Sequence, residues 1–78
     1  MREKNKKIVN EVLTKLIETE EFTTSVDLLV NLTQRVVEKT KDVDILYDTP
    51  KNIEELIEAL RMIDLYDRFE EILRENEK

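Results

Sequence analysis

No glycine, cysteine, histidine or tryptophan occurs in this 78-residue chain, and proline occurs once. Each absence removes a class of chemistry. Without glycine the chain has no low-cost way to place a residue at positive φ, which argues against glycine-dependent hairpins, phosphate-cradling loops and dinucleotide-binding turns together. Short helix connections closed by polar caps remain. Without cysteine and histidine there is no disulfide framework, no zinc site of the usual ligands, no thiol nucleophile and no imidazole base near neutral pH. Long apolar runs are missing as well: none approaches the roughly 18 residues that a bilayer span requires. The basic start Arg2-Glu3-Lys4-Asn5-Lys6-Lys7 leads into an amphipathic segment instead of a signal-peptide core. A cytoplasmic protein is the expectation, or a recombinant one if the sequence is designed.

Charged residues make up 41% of the chain and hydrophobic ones 40%, a mixture that suits helices with one wet and one dry face and is too apolar for a disordered tail. A chain this short can feed only one core. A single helical domain over 1–78 follows. Charge is divided unevenly, with 8 basic and 7 acidic side chains in 1–41 against 5 and 12 in 42–78. The second half therefore repels phosphate backbones and anionic lipid and would favour a basic partner surface.

At about 100° per residue, Ile8, Val9, Val12, Leu13, Leu16 and Ile17 share one side of a first helix over about 3–20. Thr24 followed by Asp27 resembles a capping box and starts a second helix over 24–40, whose apolar arc (Val26, Leu28, Leu29, Val30, Leu32, Val36, Val37) is wide enough for the most central helix. A short helix capped by Asp42 is favoured over 42–47, with an extended connector as the alternative. Thr49-Pro50 reads as an N-cap and first helical position, so a helix is expected to begin at Pro50.

Beyond Pro50 the apolar stripe changes sides. Ile53, Leu56, Ile57, Leu60 and Ile63 form one row; Met62, Leu65, Tyr66, Phe69, Ile72 and Leu73 form another, about half a turn away. A break near Ile63-Asp64-Leu65, with Asp64 capping a new helix, would give helices over 50–63 and 65–76 that face one core. An unbroken helix over 50–76 would instead need a second chain to cover the surplus row. The expected fold is all-α, a compact bundle of four to five helices.

The motifs that could carry chemistry are thin. Asp42, Asp44 and Asp48 lack the central glycine and closing glutamate of a calcium loop. Ser25, the lone serine, lies in a helix start with no histidine to activate it. No carboxylate pair is marked as buried in a cleft. The chain is read as not an enzyme, with no cofactor, no metal and no small-molecule substrate. The first two helices can be read as a helix-turn-helix, with Asn31, Gln34 and Arg35 on the exposed stripe as residue types that read base edges. Asp27 and Glu38 on that stripe, a pI near 4.7 and phosphate contacts confined to Arg2, Lys4, Lys6 and Lys7 weigh against nucleic acid. Few aromatics weigh against a membrane surface.

The expected function is non-catalytic protein–protein interaction, with a protein partner or a homodimer engaged through the last two helices. Met62, Leu65, Tyr66 and Phe69 are the candidate interface, being types that dominate interface centres. A de novo designed helical scaffold, with no role beyond its fold, is the alternative. The missing residue types suit that alternative, whereas the Thr23-Thr24-Ser25 run, five asparagines and a valine-rich second helix do not.

Overall fold

Four α-helices and one 3-10 segment form over residues 3–77, the residues described in the computed structural model. In chain order they are α1 (Glu3–Thr19), α2 (Ser25–Thr40), the 3-10 segment (Val43–Asp48), α3 (Ile53–Met62) and α4 (Tyr66–Asn76), with no strand among the described residues. The all-α bundle is as expected. Its Cα radius of gyration, 11.8 Å, is close to the roughly 11.5 Å of a compact domain of this length. Arg2, part of the N-terminal basic cluster, lies outside the described residues.

Each helix turns its apolar stripe to one shared core. Val9, Leu13, Leu16 and Ile17 of α1 meet Leu28, Leu32 and Val36 of α2, Ile45 of the 3-10 segment, Leu56 and Leu60 of α3, and Phe69 and Ile72 of α4. The element between α2 and α3 tightens to 3-10 geometry, capped as expected by Asp42, whose Oδ1 accepts from the Asp44 N–H at 3.0 Å. The α2 arc is wider than its buried face: Val26 and Val30 are 61% and 46% exposed.

The start of α2 matches its sequence signal. Thr24 Oγ1 accepts from the Asp27 N–H at 3.0 Å, and Asp27 reaches back to the Thr23 N–H at 2.9 Å. The start of α3 does not. Thr49 is buried, and its hydroxyl donates to the Ile45 carbonyl at 2.8 Å, closing the 3-10 segment instead of opening a helix. The helix begins three residues later, on a second capping signal that competes with Thr49-Pro50. Asn52 Oδ1 accepts from the Glu55 N–H at 2.9 Å, and Glu55 accepts from the Lys51 N–H at 2.9 Å. Both capping boxes send the returning carboxylate to the residue before the cap. Asn52→Ala is accordingly expected to lower stability by about 1 kcal/mol, read as a fall in the urea midpoint; an unchanged midpoint would return the cap to Thr49.

The chain does break between α3 and α4, which settles 50–76 as two helices. The agent of the break is not an N-cap. Asp64 sits in the left-handed region at φ 61, and α4 starts at Leu65 with no side-chain cap. Asp64 donates its N–H to the Arg61 carbonyl at 3.1 Å and Leu65 to that of Leu60 at 2.8 Å, the paired bonds by which a helix C-terminus satisfies its own carbonyls. The break there brings both apolar rows onto one core.

Candidate protein-binding groove

The four residues singled out in sequence do not form one surface. Phe69 is 2% exposed and stacks on Phe22 with ring centroids 5.9 Å apart. Tyr66 is half-buried, 6.1 Å from the Phe69 ring, with the Arg61 guanidinium 4.7 Å above its own ring. Leu65 is half-buried against the core. Met62 alone projects, at 66% exposure. Since α3 and α4 share one core, the surplus apolar row that would have required a partner along α4 is absent.

Met62 instead lines a groove of about 260 Å³ between α1, the 3-10 segment and α3. Its base is Val9, Thr49 and Pro50, all buried. Its α3 side carries Glu55, Glu58, Ala59 and Met62, and its α1 side Lys6 and Asn10. Tyr47, 77% exposed, stands at the 3-10 side, and together with Met62 gives two of the most exposed large apolar side chains. Local bonds hold this frame: Asn5 Nδ2 donates to Asp48 Oδ2 at 2.6 Å, and Lys51 Nζ to the Tyr47 carbonyl at 3.0 Å. A shallower hollow, lined by Leu29, Val30, Thr33 and Leu46, shares Thr49, Pro50 and Lys51 with the groove.

Tyr47 was not singled out in sequence, because the phase of a six-residue segment is undetermined until its geometry is known. In the structure Ile45 turns inward at 1% exposure, while Val43 and Tyr47, four residues apart, turn outward. The one available signal was the pair of aspartates around an apolar run, which limited how much of that run could be buried.

The stripe of α2 proposed to read base edges is largely engaged within the chain. Asn31 Nδ2 donates to the Glu21 carbonyl at 2.8 Å, and the Arg35 guanidinium pairs with the Glu21 carboxylate. The Thr19 side chain and Arg35 hold the Glu21 carboxyl below its ordinary pKa. Asp27 is committed to the α2 cap. These residues secure the α1–α2 connection, leaving Gln34 as the exposed and uncommitted member of the proposed reading set among the described residues.

Among the described residues no group of three or more acidic, histidine or cysteine side chains is placed to hold a metal ion. No buried side-chain nitrogen or oxygen among them lacks a hydrogen-bond partner. No helix among them is long and apolar enough to cross a membrane. Comparisons with protein-family models, curated proteins and solved structures gave no match.

Proposed function

We propose that this chain is a non-catalytic binding protein that engages another polypeptide through the groove between α1, the 3-10 segment and α3. The observation that carries this reading is the convergence of Tyr47 and Met62, 77% and 66% exposed, on one concave site whose base of Val9, Thr49 and Pro50 is buried. Large side chains of these types, left in water by a chain that buries its other aromatics wholly or in part, are costly to solvate and are enriched at interface centres. At about 260 Å³ the groove lies below the roughly 300 Å³ at which ligand-enclosing pockets begin. It has room for one or two side chains of a partner. Glu55 and Glu58 on one side and Lys6 and Lys51 on the others supply a polar rim.

Panning a random peptide library against the immobilised protein tests this reading. Peptides that bind the parent and lose binding to the Tyr47→Ser/Met62→Ser variant are expected, with affinity falling about tenfold or more. Both positions are exposed, so the variant should keep its helical circular dichroism. Recovery only of peptides that bind parent and variant equally would overturn the groove as the binding site.

A further inference from the structure

The groove has the attributes of a self-complementary surface, and we infer that its occupant is a second copy of this chain. This inference rests on the reading of the groove as a protein-binding site. Its first support is shape. The apolar side chains that project beside the hollow, Tyr47 and Met62, are of the size that a hollow of about 260 Å³ accepts, so each copy offers both the projection and the cavity that receives it.

The second support is charge. Lys6 stands on the α1 side of the groove and Glu58 on the α3 side. Among the described residues neither takes part in an ion pair, although exposed pairs form elsewhere on the surface, as between Glu11 and Lys39 and between Glu20 and Arg68. In a two-fold dimer whose axis runs along the groove, each side of one copy meets the opposite side of the other. Lys6 of each copy then faces Glu58 of its mate, and the dimer gains two equivalent ion pairs. A partner of uniform charge, acidic or basic, would match one side and be repelled by the other.

The third support is continuity. A stable dimer covers about 800 Å² on each partner, about 15% of the 5282 Å² surface here. The groove alone is small, but it shares Thr49, Pro50 and Lys51 with the second hollow, where exposed Val30 extends the apolar area. The net charge of −6 on each copy opposes association, so a weak dimer is expected.

Sedimentation equilibrium on the whole chain tests the inference. A monomer–dimer equilibrium is expected. Lys6→Glu and Glu58→Lys, each alone, should weaken it by roughly 10- to 100-fold, because each places like charges together at two symmetric positions. Mixing these two variants should restore association as a heterodimer. In that pair the new glutamate of the first variant meets the new lysine of the second, and the unchanged Glu58 of the first meets the unchanged Lys6 of the second. A chain still monomeric at about 1 mM, dimers unaffected by Tyr47→Ser/Met62→Ser, or single variants that fail to rescue one another would each overturn the inference. Groove-dependent peptide binding by a monomeric chain would mark this failure as distinct from failure of the groove itself.

Discussion

Phe69→Ala is expected to cost about 3–5 kcal/mol, a large share of the stability of a chain this short. The size of the effect follows from position. Phe69 is 2% exposed and lies between Phe22, 5.9 Å away, and Tyr66, 6.1 Å away. It is the aromatic anchor that docks α4 against the α1–α2 connection. Truncation removes the transfer free energy of the ring, leaves a cavity and forfeits the aromatic contacts. A domain of 78 residues has a total stability of about 4–12 kcal/mol, so the loss takes roughly a quarter of it at the least and all of it at the most. Arg68 to Glu20 at 3.2 Å and Asn76 to the Phe22 carbonyl at 3.3 Å also tie α4 to that connection. These exposed or part-buried bonds contribute about 1 kcal/mol or less each and cannot offset the loss. Met62→Ser, only four residues before Tyr66, should change stability by no more than about 0.5 kcal/mol. Urea denaturation followed by circular dichroism separates the two. A Phe69→Ala midpoint within error of the parent would remove Phe69 from the core and return it to the surface that the sequence pattern suggested.

That contrast marks where sequence periodicity stops being informative. The helices of the first half were legible because Val9, Leu13, Leu16 and Leu28, Leu32, Val36 recur at a spacing that permits one buried face. The Thr24 cap was legible because polar side-chain capping is local. The change of stripe near residue 63 marked the break, although assigning Asp64 to a cap misread the mechanism. Thr49-Pro50 misplaced the start of α3, because Thr49 is buried against the 3-10 segment and the cap is supplied by Asn52 with Glu55, a signal not singled out in sequence. The groove was less legible than the fold. Its residues come from α1, the 3-10 segment and α3, and their meeting depends on how α3 is oriented after Pro50. Periodicity assigns Met62, Leu65, Tyr66 and Phe69 to one row, but the turn at Asp64 separates Met62 from the other three.

The combined substitution Glu20→Gly, Lys41→Gly and Asp64→Gly is expected to raise stability by about 2–3 kcal/mol, against the general rule that glycine weakens helical proteins. Absence of glycine argues against positive φ, yet the chain uses it at three helix ends: Glu20 at 55°, Lys41 at 57° and Asp64 at 61°. Glu20 and Asp64 close α1 and α3 with paired bonds, and Lys41 closes α2 by donating to the Val37 carbonyl at 2.7 Å. Each bond satisfies a carbonyl that the helix end would otherwise leave without an intrahelical partner. The left-handed conformation costs a residue with a Cβ about 1–2 kcal/mol, and glycine relieves most of that cost while giving some back through greater unfolded-state entropy. Lys41→Gly should gain most. Glu20→Gly loses its exposed pair with Arg68, about 0.5 kcal/mol, and aspartate already tolerates this region better than glutamate or lysine. The triple variant should melt about 10 °C or more above the parent in thermal circular dichroism, whereas alanine at the same three positions keeps the Cβ and should gain nothing. A triple-glycine chain that melts at or below the parent temperature would mean that these three residues are not strained. If the rise appears, the fold is being held by its buried core against a conformational cost at three of its helix ends, so packing, more than local backbone preference, selects where these helices stop.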